Sequence, residues 1–301
     1  MCSYENSVLL YPAKNKKRDK VGSYACSSFD HGTYPNIYFC PICKNGFLET
    51  LTTEDANAVV EQGHQLYADV EDDVYIANLE ARYVTYKKLI NKHSELFKDK
   101  EILEIGAYYG VFYHEVRDVA KNYHGLEPSQ HACHFLKEKY QNINIINNNL
   151  ETAISENSFV NNKFDVIVMW DVIEHLPNPI KTLREVNALL KDDGKIIFST
   201  INIESSFSMV LGPFWPWFMD MHYYYFSDRG YVDMLHRSGY VIKGHYHFGY
   251  YVYLSYLIQK VLMLTLKINL KNNSFVNKLK QNIPIKLGDT VMVVGKKESF
   301  E

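Results

Sequence analysis

The sequence predicts an α/β chain, a mostly parallel sheet with helices on both faces, preceded by a small irregular segment. Three observations carry this. From about residue 99 onward, short apolar runs alternate with helical text, the pattern of repeated strand–helix units. One run, residues 164–170, is apolar almost throughout, as a strand covered on both faces requires. The first 70 residues lack periodicity and are punctuated by Gly22, Gly32, Pro35, Pro41 and Gly46.

Taken in order, residues 71–98 read as an amphipathic helix, with Tyr75, Leu79, Arg82, Tyr83, Tyr86 and Leu89 at three- and four-residue intervals. Strands are expected at 101–105, 123–127, 143–148, 164–170 and 194–200, separated by helices ending near 122, 140 and 190. An aromatic segment covers 207–226, then a short helix over 227–237 stopped by Gly239. Strand text follows at 240–248, an apolar helix at 250–270 and a closing strand at 290–294.

A chain of 301 residues with 47% hydrophobic and 22% charged residues can bury a sizeable core. Its net charge of −3 argues against broad electrostatic capture of nucleic acid. The basic run Lys14, Lys16, Lys17, Arg18 and Lys20 reads as a solvated arm. No signal peptide is visible, and no window reaches the ~18 apolar residues needed to span a bilayer. Five cysteines do not suggest a secreted disulfide framework, so the cytoplasm is the expected compartment.

Four signals fall at compatible spacings. Leu103-Glu104-Ile105-Gly106-Ala107-Tyr108-Tyr109-Gly110 ends a strand in a carboxylate and turns through two glycines into a helix. Glu127 lies 21 residues after Gly106, where an acidic side chain suits two ribose hydroxyls, with Pro128 following it. Asn149 and Leu150 end the third strand, placed to meet an adenine edge. The fourth strand delivers Asp171, Val172, Glu174 and His175 to the sheet edge where ligands bind in such folds.

These residues resemble the motifs of class I S-adenosylmethionine-dependent methyltransferases. Residues 104–110 resemble the glycine-rich first motif, Asp171-Val172-Ile173-Glu174-His175-Leu176-Pro177-Asn178-Pro179 the post-strand-four signature, and residues 189–197 the lead into strand five. The resemblance implies a Rossmann-like fold with a mostly parallel seven-stranded sheet. It also implies S-adenosyl-L-methionine held by Glu104, Gly106, Ala107, Tyr108, Gly110, Glu127, Pro128, Asn149, Leu150, Asp171 and Val172. The sequence departs from the family at Tyr108, which replaces a middle glycine and is expected to pack beside the methionine moiety or the substrate. The Gly-x-Gly-x-x-Gly fingerprint of a dinucleotide site is broken at Tyr108 and Phe112.

Transfer to a hydroxyl needs alignment, a dry pocket and a base. His175 and His222 are the candidates, the latter within an aromatic lid over 204–226 that resembles a substrate-covering segment in relatives. Asp171, Glu174 and His175 also resemble a cluster that binds a divalent cation in some quinone-precursor O-methyltransferases. Cys40-Pro41-Ile42-Cys43 is a zinc-knuckle pattern, with Cys26 and His31 as the upstream ligand candidates. Residues 1–70 are therefore expected to form a zinc-ribbon-like module ahead of a catalytic domain at 71–301. The apolar stretch 250–270 admits a core helix, a homodimer contact or a peripheral membrane contact. The expected activity is O-methylation of a small molecule or glycan. The alternatives are methylation of RNA and cofactor binding without catalysis.

Overall fold

The computed structural model describes residues 6–14, 33–52, 67, 72–159, 163–266, 268, 270 and 273–298. Eleven strands run in chain order among the described residues: β1 (Val8–Tyr11), β2 (Ile37–Phe39), β3 (Gly46–Leu48), β4 (Glu101–Ile105), β5 (Asn122–Leu126), β6 (Ile145–Ile146), β7 (Phe164–Trp170), β8 (Leu190–Ile201), β9 (Tyr224–Tyr225), β10 (Tyr240–Tyr253) and β11 (Asn282–Lys297). Seven of them form the main sheet in the order β10-β11-β8-β7-β4-β5-β6. The five strands from β8 to β6 are parallel, while β11 pairs antiparallel with both β8 and β10, so the sheet is mixed.

The continuous apolar text of β7 is explained by its central place. Ile167 and Met169 pack on one face with Leu183 and Val186 of helix Pro179–Leu189 and Met234 and Leu235 of helix Asp228–Arg237. Val166, Val168 and Trp170 pack on the other with Tyr83, Tyr86 and Leu89 of helix Leu79–Lys92 and with Phe112. A strand buried on both faces has no room for the alternation that marks a half-solvated one.

Two expectations are corrected beyond β8. The strand expected at 240–248 runs on to Tyr253, and the apolar helix is shortened to Leu254–Leu266. The closing strand, expected over five residues, begins at Asn282. Tyr250–Tyr253 pair with Asn282–Ile285, so ladder bonds across a hairpin decide what looked like helical text. Since Thr290 pairs with Ile201 at the carboxyl end of β8, the part of β11 before Thr290 projects beyond the carboxyl edge of the sheet.

The N-terminal strands pair with a later part of the chain. They form a small sheet, β1-β2-β3-β9, whose last strand comes from the aromatic segment. Asn45, Phe47 and Leu48 are buried, Ser227 donates its hydroxyl to the Cys43 carbonyl, and Ser227 N–H donates to Asn45 Oδ1. The described part of the N-terminal region is thereby packed onto the catalytic domain. Most of the aromatic segment is core: Trp215, Phe218, Tyr225 and Phe226 are fully buried, with Phe218 edge-on to both Trp215 and Tyr225.

Candidate active site

The site is assembled where β4, β5 and β7 end. Gly106 and Gly110 both take left-handed backbone, with φ of 79° and 71°. A Cβ on Gly106 would lie 2.6 Å from Val172, and one on Gly110 would run into Leu136. Both positions thus need glycine for conformation and for close approach. Gly110→Ala is expected to destabilise the protein by about 2–4 kcal/mol, the left-handed penalty plus overpacking. Urea unfolding that changed by under ~1 kcal/mol would show that the turn relaxes freely.

Tyr108 occupies the middle of this turn, also left-handed at φ 44°. Its ring sits edge-on to Tyr75 and Tyr109, and its hydroxyl donates to Asp72 Oδ2 at 3.0 Å. Asp72 N–H in turn donates to Tyr109 Oη, and Asp72 Oδ1 caps helix Asp73–Ala77 by accepting from Tyr75 N–H. The two tyrosines therefore tie the glycine turn to the segment entering the catalytic domain. Tyr67 stacks on Tyr108.

Glu127 is wholly buried after β5. Its two carboxylate oxygens accept from Tyr108 N–H and Ser129 N–H, each at 2.7 Å. Burial pushes its pKa up to about 7, with those two N–H groups pulling the other way. A carboxylate offers about four lone-pair sites, so two remain for ribose hydroxyls. Glu104, also buried, accepts from Tyr123 Oη at 2.5 Å. Burial raises its pKa, and the nearby Glu127 adds to the rise against the Tyr123 hydrogen bond.

Asn149 is exposed and its Oδ1 accepts from Thr152 N–H, capping helix Leu150–Ser155, while Leu150 is buried beneath. The half-buried Pro128 has its carbonyl held by Asn147. Ala107 is buried in the turn. The left-handed glycine turn, the buried acid with acceptor capacity left and the capped third-strand end are compatible with S-adenosylmethionine.

Asp171 takes a left-handed φ of 54°, a strained conformation for a non-glycine residue. Ser199 donates to Oδ1 at 2.6 Å and Tyr250 to Oδ2 at 2.5 Å, while Asp171 N–H donates to Ser199 Oγ. Burial nevertheless raises its pKa. Tyr250 belongs to the projecting part of β10, so a residue from the far end of the chain completes this corner. Sequence reasoning missed it because the register of a hairpin has no local signal.

The third group is Glu174, His175 and His222. Their ligand-capable atoms all lie within 4.8 Å of one another. His175 Nδ1 is 2.8 Å from the Met221 carbonyl and His222 Nδ1 is 2.9 Å from that of Trp217. A carbonyl can only accept, so both rings carry their proton on Nδ1 when neutral and present Nε2 as the basic nitrogen. The rings meet edge to face at 4.7 Å. Glu174 is buried, accepts from Thr200 Oγ1 at 3.1 Å, and is pushed well above the usual carboxylate range by burial and by Asp171.

The expected cation cluster is thus redrawn. Among the described residues His222, not Asp171, joins Glu174 and His175, because Asp171 is turned toward Ser199 and Tyr250. Cys40 and Cys43 are buried at the two ends of one turn, with Lys44 left-handed after it. Cys26 and His31 lie outside the described residues, as does the basic arm apart from Lys14, which sits over the Phe214 ring.

Residues 78–243, just over half of the chain, match the methyltransferase-domain family, and the chain belongs to it. A ubiquinone biosynthesis O-methyltransferase of Actinobacillus pleuropneumoniae is 28% identical over 110 residues, covering 34% of this chain and 46% of that protein. A tRNA U34 carboxymethyltransferase of Nautilia profundicola is 30% identical over 129 residues, 42% of each chain. The chain therefore spans less than half the length of these curated relatives. The YcgJ protein of Bacillus subtilis shares the fold, with a TM-score of 0.51 at 16% identity over 71% of this chain and 99% of that one. Fold and family together define an S-adenosylmethionine-dependent methyltransferase domain.

Proposed function

We propose that this protein transfers the methyl group of S-adenosylmethionine to a hydroxyl oxygen of a small molecule or glycan. The observation that supports this is the pair His175 and His222, each locked through Nδ1 to a backbone carbonyl beside a buried carboxylate at the carboxyl edge of the sheet. Glu127 would take the ribose, Gly106, Ala107 and Gly110 the methionine portion, and Asn149 with Leu150 the adenine. The bound cofactor supplies an electrophilic methyl group on a sulfonium. The chain's part is to hold the acceptor hydroxyl in line and to receive its proton at His222 Nε2. Glu174 lies close enough to offset the resulting imidazolium charge. His175 orients the pair. Cys40 and Cys43 would give two thiolates to a structural zinc ion, with Cys26 and His31 completing the set.

A second reading rests on the convergence of Glu174, His175 and His222. Two imidazoles and one carboxylate, both rings anchored through the other nitrogen, are a donor set suited to a divalent transition metal. The acceptor hydroxyl would then be activated by the cation. One assay tests both: transfer of labelled methyl from S-adenosylmethionine to a panel of phenols, sugars and nucleotide sugars, with and without EDTA. Turnover unchanged by EDTA selects the imidazole base. Loss of more than about tenfold, restored by Mn²⁺ or Zn²⁺, selects the cation. Methylation of transfer RNA with no small acceptor used would refute the proposal.

A further inference from the structure

We infer that the carboxyl edge of this protein docks on an anionic membrane surface through the cap of the β10–β11 hairpin. No helix among the described residues is long and apolar enough to cross a membrane, so this is surface binding. The cap is the excursion between Tyr253 and Asn282, which holds helices Leu254–Leu266 and Ser274–Asn277, together with the projecting start of β11 up to Gly288. Residues 254–288 carry six lysines and no Asp or Glu. This is a local cationic island on a chain whose net charge is −3. Lys278, Lys280 and Lys286 are exposed.

Large apolar side chains are exposed among those lysines. Phe275 is 75% and Leu266 63% exposed, with Val261 and Leu287 about half exposed. Lysines interleaved with solvent-facing Phe and Leu are what an anionic lipid surface selects: the amines meet headgroups while the apolar chains enter the acyl boundary. A nucleic acid would use the lysines but gain little from Leu266 or Val261. The same 35-residue stretch also has no arginine, the usual residue for bidentate phosphate or base contact.

Position supports the same reading. The hairpin projects past the carboxyl edge, where Tyr250 reaches Asp171 of the site. Helix Ser206–Leu211, which follows β8 at that edge, packs against β11 and exposes Val210 at 83%, and Phe214 just beyond it is 72% exposed. Two separate segments that follow the carboxyl end of β8 or project past it thus present exposed apolar side chains. Docking there would bring the pocket to acceptors that reside in or on the bilayer.

The inference goes beyond the methyl-transfer proposal, and the test scores the two apart. Full-length protein is sedimented with vesicles of phosphatidylglycerol or of phosphatidylcholine, and S-adenosylhomocysteine binding is titrated on the same samples. Binding to phosphatidylglycerol but not phosphatidylcholine vesicles, weakened by salt, is expected. The variant K278Q/K280Q/K286Q should bind about a hundredfold more weakly and F275S/L266S about tenfold or more. Both should keep wild-type affinity for S-adenosylhomocysteine. Absence of vesicle binding at low salt overturns the inference, as does binding that neither variant weakens. So does a dimer in solution that the F275S/L266S change dissolves without any vesicle binding, or capture of RNA in place of vesicles.

Discussion

Glu127→Gln should lower the affinity for S-adenosylmethionine and S-adenosylhomocysteine by about two to three orders of magnitude, measured by isothermal titration. The reason lies in two backbone donors. Tyr108 N–H and Ser129 N–H each point at a different carboxylate oxygen. An amide has one oxygen, so its NH₂ must face a buried N–H, and the ribose loses acceptors as well. Circular dichroism should show the fold retained, since Glu127 is already costly to ionise where it sits.

The same residue sets a pH dependence with a definite sign. Its pKa is pushed up to about 7 by burial, against about 4.5 when solvated. Between those values the native protein holds a proton that the unfolded chain has lost, so this group makes the protein less stable as pH rises through that window. Cofactor binding runs the other way, because ribose hydroxyls donate best to the ionised form. Affinity should therefore rise as pH increases through about 7 and level off above it, with proton release on binding. Glu127→Gln should flatten that profile. A wild-type affinity constant from pH 5.5 to 8.5 would remove Glu127 from the ribose site.

His222→Asn should reduce kcat by about a hundredfold to ten-thousandfold, the range for loss of a positioned base. The asparagine amide can still donate to the Trp217 carbonyl that holds His222 Nδ1, so the segment should keep its place. S-adenosylhomocysteine affinity should stay within about twofold, because the glycine turn and Glu127 are untouched. A parallel His175→Asn variant separates roles: an orienting ring should cost less than the base. Equal turnover by His222→Asn and wild type would exclude His222 from the chemistry. Partial rescue of that variant by excess Mn²⁺ or Zn²⁺ would favour the cation reading.

The first motif, the acid after β5 and the strand that ends in Asp171 were legible as text because each is set by local chemistry. Gly106 and Gly110 are needed for positive φ, Glu127 stood out by its spacing from Gly106, and β7 is apolar because both its faces are covered. His175 and His222 stood out separately, but a separation of 47 positions hid their edge-to-face contact and the approach of His222 to Glu174.

What only the tertiary structure decided are the long-range pairings. Tyr250 meets Asp171, Tyr108 turns toward Asp72, and β3 pairs with β9, so the N-terminal strands and the aromatic segment share a sheet. Apolar text at 250–253 became strand because Asn282–Ile285 supplied its ladder partners. Local propensity and periodicity act within a few residues, so the sequence by itself determined the strands and glycine turns of the parallel half. Hydrogen-bond partners 30 to 180 positions away are selected by packing of the whole core, and no local pattern in the text announces them.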